Sequence, residues 1–149
     1  MRLVELHLKA FGPFTDQVLP LGSGSQRVVL VHGLNAAGKS SALRAISALR
    51  FGIPPRTTDA FLHDYQQMRV GGVFMDSQGN LYSLMRRKGT GVTLKFADFG
   101  NGGRELPDPV PPAVNGLLTG GLSVKDYEGM FGLDHATLRA GGIALARGE

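Results

Sequence analysis

Residues 33–40 read Gly33-Leu34-Asn35-Ala36-Ala37-Gly38-Lys39-Ser40 and fit the phosphate-binding pattern G-x-x-x-x-G-K-[ST]. The glycines permit a tight backbone turn whose N–H groups point inward at a phosphate. The pattern predicts that Lys39 reaches the β- and γ-phosphates of a nucleotide and that the Ser40 hydroxyl ligates Mg²⁺.

The sequence on either side of this loop strengthens the prediction. The run Arg27-Val28-Val29-Leu30-Val31-His32 before it is apolar and has the length of a buried strand, with His32 as a packed strand residue. The stretch from Ser40 to Phe51 after it places Leu43, Ile46 and Leu49 on one helical face. Strand, loop and helix follow in the order that phosphate binding requires, and the helix N-terminus adds its partial positive charge.

Composition restricts the class of protein further. The chain has 149 residues, 42% of them hydrophobic and 19% charged, which suits one domain with its own core. It has no cysteine, so no disulfide can form, and this favours a cytoplasmic location. The charged N-terminus is unlike a signal peptide, and no apolar run has transmembrane length, so we expect no membrane partner. The net charge of +4 suits an anionic nucleotide ligand together with solvated Arg and Lys side chains. The charge alone therefore does not indicate DNA binding.

The remaining elements predict an α/β P-loop NTPase in a single domain, with a mixed sheet and an antiparallel β-subsheet. Strands are expected at 2–10 and 17–19, and three antiparallel strands at 70–75, 81–87 and 92–96. Short helices are expected near 110–119 and 123–131, and residues 133–149 read as partly helical with no clean ending.

Other candidate residues have simpler explanations than a catalytic role. Asp76 follows an apolar strand, as a metal-binding aspartate does, but Ser-Gln-Gly-Asn after it indicates a hairpin turn. The cluster at 86–88 is basic, and a solvated hairpin tip explains it better than DNA contact. Arg56 and His63 are expected either near the nucleotide or in ordinary surface contacts. Ser123 is expected to cap a helix.

Four segments make the chain similar to the SbcC/SMC family of coiled-coil ATPases, and within it to the YhaN-like AAA proteins. They are MRLVELHLKAFGPFTD (1–16), VVLVHGLNAAGKSSALRAISALRFGIPPRTTDAFLH (28–63), YSLMRRKGTGVTL (82–94) and YEGMFGLDHATLRAGGIAL (127–145). The resemblance implies that residues 1–149 are the N-terminal ATP-binding lobe of an SMC-type head (an ABC-type ATPase fold), truncated before a coiled coil.

The resemblance also implies cofactors, partners and site residues. ATP and Mg²⁺ are the implied cofactors, with Ser40 as the metal ligand. Gly33 opens the loop, and the residues that carry over directly are Asn35, Gly38, Lys39, Ser40 and Ser41. Ala36 and Ala37 lie between them and complete the predicted nucleotide-binding residues. A C-terminal lobe and a second head would complete the ATPase, and the closed dimer would engage DNA or an SbcD-type metallophosphoesterase nuclease, in DNA repair or chromosome maintenance.

The sequence departs from the family pattern at two places. Asp134 stands where relatives offer a γ-phosphate-sensing glutamine, and its shorter, charged side chain makes it a weak catalytic candidate. Gly12-Pro13 replaces the arginine that often follows the first strand in SbcC relatives, so no basic nucleotide contact carries over there.

Three functions remain open from the sequence. The first is an ATPase lobe that binds nucleotide alone but turns it over little without a C-terminal lobe. The second is a self-contained small kinase or GTPase, although no arginine-rich lid and no N-K-x-D base-reading motif is visible. The third is a non-catalytic interaction module regulated by nucleotide.

Overall fold

The fold is known from a computed structural model that describes residues 1–22, 28–132 and 135–148. Six strands, four α-helices and one short 3₁₀ turn make up this part of the chain. In chain order the elements are β1 (Arg2–Phe11), β2 (Phe14–Pro20), α1 (Lys39–Phe51), β3 (Arg69–Met75), β4 (Leu81–Arg87), β5 (Leu94–Asp98), the 3₁₀ turn (Phe99–Asn101), β6 (Arg104–Glu105), α2 (Pro112–Thr119), α3 (Val124–Phe131) and α4 (His135–Ala146).

The strands form one sheet in the order β2-β1-β3-β4-β5-β6, and every neighbouring pair is antiparallel. This confirms the antiparallel β-subsheet and the hairpins predicted from the turn residues. The predicted mixed sheet is wrong for the described residues, because none of their strand pairs is parallel.

The strand expected at residues 27–32 also does not form where the structure describes it. Residues 28–34 have no regular secondary structure and are exposed along their whole length, so His32 is not packed. Val28 is 84% and Leu30 is 83% exposed. A strand needs a neighbour to take up its backbone hydrogen bonds, and none of the described strands pairs with this segment.

Helix α1 packs on one face of the sheet through small residues. Its buried face consists of Ser41, Ala42, Ala45, Ala48 and Leu49, whereas Leu43 is exposed. Of the expected face, Leu49 is buried and Ile46 packs against the core, whereas the prediction is wrong for Leu43. The alanines permit a close approach to the strands, and they share the core with apolar side chains of β1, β3 and β4.

Close approach also explains a glycine in β3. A Cβ atom on Gly72 would lie 2.9 Å from the Glu5 carbonyl oxygen and 2.9 Å from Leu49 Cδ2. The backbone carbonyl cannot move aside without disturbing the β1–β3 ladder. The sheet and α1 thus meet at a distance that only glycine allows.

The far end of α1 is held by a side chain from β4. Arg86 is buried, and its Nε and NH2 groups donate to the carbonyl oxygens of Leu49 (3.2 Å) and Arg50 (3.0 Å). Burial lowers the pKa of Arg86 to about 10, so the side chain is charged at neutral pH and suits the negative end of the helix dipole. The expectation that residue 86 belongs to a solvated hairpin tip is therefore wrong.

Within the residues described, no helix combines the length and the apolar character needed to cross a bilayer.

Candidate functional site

The N-terminus of α1 offers unpaired backbone donors. Gly38 is its N-cap, with φ 90° and ψ 12°, and no side chain caps the first turn. The first turn also contains no acidic residue. The N–H groups there keep their hydrogen-bonding capacity, and the helix end keeps its partial positive charge, which favours an anion.

The backbone before the helix takes a conformation that depends on glycine. The φ of Gly38 lies in the left-handed region, and a Cβ atom there would come within 2.5 Å of Phe14 Cζ. Ala36 is also left-handed, with φ 65°, and the Ala37 N–H donates to the Leu34 carbonyl at 3.2 Å. Left-handed non-glycine residues cost about 1–3 kcal/mol and cluster at binding and catalytic sites.

The Lys39 ammonium lies against this turn. Its Nζ donates to the carbonyl oxygens of Gly33 and Leu34, each at 2.7 Å. Lys39 and Ser40 are both exposed, so both side chains can be reached by a ligand from solvent. A bound phosphate would compete with these two neutral carbonyls for Lys39 Nζ. The phosphate would be the stronger acceptor because it is charged.

One cavity of about 540 Å³ collects most of the residues that the sequence singled out. Its lining contains Asn35, Ala36, Gly38, Lys39, Ser40 and Ser41. Ala37 lines a neighbouring cavity of about 190 Å³, and Gly33 contributes the carbonyl that binds Lys39. Asp134 lies outside the described residues. The volume falls within the range of about 300–1,000 Å³ that is usual for small-molecule sites.

The cavity also has two ring side chains that the sequence did not indicate as site residues, Pro13 and Phe61. Pro13 comes from the β1–β2 turn, and Phe61 from the irregular segment between α1 and β3. The proximity of Phe61 is a tertiary effect, and no periodicity or motif in the sequence signals it.

An ion pair with a buried carboxylate fixes the surroundings of this cavity. Arg44 donates from Nε and NH2 to the two carboxylate oxygens of Asp59, both at 2.7 Å, and from NH2 to Ser41 Oγ at 3.0 Å. Asp59 is buried, and its backbone carbonyl accepts the Gly12 N–H at 2.8 Å. The pair therefore connects α1, the β1–β2 turn and the segment that carries Phe61.

The two other residues considered near the nucleotide lie elsewhere. His63 Nε2 is 2.8 Å from the Phe14 carbonyl oxygen and 3.2 Å from Thr15 Oγ1, so it fixes the segment to the start of β2. Arg56 lines a larger cavity of about 640 Å³ along the C-terminal half of α1. We assign the candidate site to the smaller cavity, because the helix N-terminus and the left-handed turn are there.

The donor set suits a magnesium nucleotide. Among the described residues, no group of three or more His, Cys, Asp or Glu side chains could hold a metal ion by itself. Mg²⁺ is usually held by one or two protein ligands together with substrate phosphates and water. The Ser40 hydroxyl lines the cavity and is exposed, so it has the chemistry and the access that such a ligand requires.

Asp76 has the turn role that the sequence favoured. Its Oδ1 accepts the N–H groups of Gln78 (2.8 Å) and Asn80 (2.9 Å), and its Oδ2 accepts the Asn80 side chain at 2.9 Å. The Asn80 side-chain hydrogen bond is the main cause that lowers the pKa of Asp76. The carboxylate stabilises the β3–β4 hairpin and does not line the cavity. Similarly, Ser123 Oγ accepts the Asp126 N–H at 3.2 Å, which confirms the predicted cap of α3.

Comparison with family models decides the classification. The model described as an AAA domain matches residues 1–149. The chain belongs to the AAA-domain family. An AAA domain is an ATP-binding domain of the P-loop NTPase class and generally uses ATP with Mg²⁺, and this is consistent with the resemblance to SbcC/SMC ATPases. A search of curated proteins found no match to this AAA domain.

Proposed function

We propose that this AAA domain binds Mg·ATP in the cavity at the N-terminus of α1, as the N-terminal lobe of an SbcC/YhaN-like ATPase. The observation that carries the proposal is the convergence in one cavity of an uncapped helix N-terminus, the Lys39 ammonium and the Ser40 hydroxyl. These are the donors that a triphosphate and its metal require.

Each residue of the loop has a defined role in this proposal. Lys39 exchanges the carbonyls of Gly33 and Leu34 for the β- and γ-phosphates, and Ser40 ligates Mg²⁺. The N–H groups of the turn at Gly38 and of the first turn of α1 hold phosphate oxygens. Asn35, Ala36, Ala37 and Ser41 complete the wall around them. Asp134 remains a weak candidate for the γ-phosphate-sensing position, on resemblance alone.

Hydrolysis needs more than this cavity. The attacking water must be oriented by a suitable side chain, and the lining of the described cavity includes no carboxylate. The nearby Asp59 carboxylate is held by Arg44. We therefore infer that the water-positioning group comes from another part of the assembled ATPase, and that the isolated chain binds ATP with little turnover.

The exposed segment 28–34 supports the same inference. Val28 and Leu30 are large, highly exposed apolar residues directly before the loop 33–40, and Leu34 is exposed within it. Strand addition by a second lobe would pair the backbone of residues 28–32 and bury Val28 and Leu30, and these residues would then form the strand that the sequence predicts. The C-terminal lobe implied by the family resemblance is the occupant we propose.

The wider role follows the resemblance. Two such heads would close around two ATP molecules as a homodimer, with a coiled coil joining the lobes of each chain. The closed form would engage DNA or an SbcD-type nuclease, in DNA repair or chromosome maintenance in the cytoplasm.

Calorimetric titration of the chain with Mg·ATP tests the binding step. Lys39→Ala is expected to weaken binding at least tenfold, because a charge-assisted contact of about 1.5–3 kcal/mol is lost. Lys125→Ala, which removes an exposed lysine from α3, is the charge-matched control and should bind normally. Unchanged affinity in Lys39→Ala would refute the proposed site.

Steady-state ATPase assays test the second lobe. The chain alone should show little turnover, and coexpression with a C-terminal lobe of the kind that the resemblance implies should restore it. Leu30→Asp should block that rescue while leaving ATP binding by the isolated chain unchanged. Strong turnover by the chain alone, lost in Asp76→Asn, would instead indicate a self-contained NTPase. ATP binding that no lobe converts into turnover would indicate a non-catalytic module.

A further inference from the structure

Phe61 is an exposed aromatic residue whose position is tightly determined. Phe61 is 63% exposed, and its neighbour Leu62 is 61% exposed. The residues on either side are anchored: Asp59 by Arg44 and by Gly12, and His63 by the Phe14 carbonyl. An exposed phenylalanine held between two anchors is preorganised for a ligand.

The Phe61 side chain borders the cavity at the candidate phosphate loop. Phe61 belongs to the lining of that cavity, together with Pro13, Gly38, Lys39 and Ser40, whereas Leu62 does not. The cavity thus has a cationic, hydrogen-bonding part at the helix N-terminus and a part bounded by ring side chains. A nucleoside triphosphate has the matching division between an anionic chain and a flat aromatic base.

We propose that Phe61 is the stacking platform for the nucleotide base, which makes it a determinant of affinity for nucleotides over inorganic phosphates. This rests on the proposed function, because the phosphate loop places the base near Phe61 only if it holds the triphosphate. Pro13 and Phe61 offer ring surfaces to the base rather than a hydrogen-bond pattern specific to adenine, so stacking on them should favour ATP and GTP to a similar extent.

Affinity measurements separate the base from the phosphates. Aromatic stacking on a base predicts that Phe61→Ala weakens Mg·ATP and Mg·GTP binding about 5- to 150-fold. Binding of magnesium tripolyphosphate, which has no base, should stay within about twofold. Leu62→Ala is the matched control and should leave both ligands unaffected.

Fluorescence gives an independent reading. The chain has no tryptophan, so Phe61→Trp creates a single emitter at the proposed platform. Its emission should be quenched by Mg·ATP and not by magnesium tripolyphosphate, and Leu62→Trp should respond to neither. A folded Phe61→Trp protein that binds Mg·ATP normally without this quenching would overturn the proposal.

The outcomes also separate this inference from the binding site itself. If Lys39→Ala loses binding of both ATP and tripolyphosphate while Phe61→Ala binds both normally, the phosphate site is supported and the stacking role of Phe61 is rejected. Equal weakening of ATP and tripolyphosphate in Phe61→Ala would reject it as well. Normal ATP binding by Lys39→Ala would reject the site and the platform together.

Discussion

The Arg44–Asp59 pair is expected to be worth a measurable part of the stability of this domain. We consider Arg44→Met, which keeps most of the side-chain length, together with Asp59→Asn, which keeps the volume. Arg44 makes two hydrogen bonds of 2.7 Å to the carboxylate, and Asp59 has no second charged partner among the contacts that the structure describes.

The magnitude follows from the unequal burial of the two partners. The Asp59 side chain is 2% exposed and that of Arg44 is 49% exposed. Removing one partner of a fully buried pair costs about 3–5 kcal/mol, and partial exposure of the guanidinium reduces this through solvent screening. We expect Arg44→Met to lower the free energy of unfolding by about 2–3 kcal/mol and Asp59→Asn by about 1–2 kcal/mol.

A double-mutant cycle by urea denaturation measures the pair directly. The double variant should lose less than the sum of the single variants, with a coupling energy of about 1.5 kcal/mol. For a domain of this size, Arg44→Met should lower Tm by roughly 5–10 °C. Arg56→Met is the matched control, because Arg56 is exposed in the same segment, and it should change stability by less than about 0.5 kcal/mol. A coupling energy below about 0.5 kcal/mol would refute the assignment of Arg44–Asp59 as the anchor of this segment.

Two glycines and one carboxylate give further predictions. Gly72→Ala should lower the free energy of unfolding in urea by about 1–3 kcal/mol, since its Cβ would meet the fixed Glu5 carbonyl. Gly116→Ala should instead raise that free energy by about 0.5–1 kcal/mol, because the position lies in α2 with open space around it; a loss of stability there would contradict the reasoning. Hydrogen bonds lower the pKa of Asp76 from its ordinary value of 3.8, so the stability it contributes is present above pH 3.8 and is lost as the pH falls through the lower folded-state pKa. The stability difference between the wild type and Asp76→Asn should therefore shrink on acidification below pH 3.8, and acid titrations of both proteins that run parallel would exclude this role.

Features determined by local chemistry could be predicted from the sequence. The β3–β4 hairpin follows from Asp76 and the turn residues after it, and the end of α1 follows from Gly52 and the prolines beyond it. The segment 33–40 could be singled out as the candidate phosphate loop because its glycine and lysine spacing reflects a backbone requirement within a few residues.

Features determined by distant partners could not be predicted. Residues 28–32 have the composition of a strand, but a strand forms only where another one accepts its hydrogen bonds, and composition does not report that. Small residues make up most of the buried face of α1 because the sheet lies close to the helix, and side-chain hydrophobicity alone does not identify that face. Asp59 and Phe61 reach the site through a long irregular segment that has no periodic signal.

Helix α1 spans the distance between two very different kinds of contact. Its first turn lies at the candidate phosphate loop, and the carbonyls of Leu49 and Arg50 at its other end accept hydrogen bonds from Arg86 of β4. Its thirteen residues give the helix a length of roughly 20 Å. Because Arg86 joins the far end of α1 to β4, we expect a rigid-body displacement of the helix at its first turn to be felt at the β3–β4 hairpin.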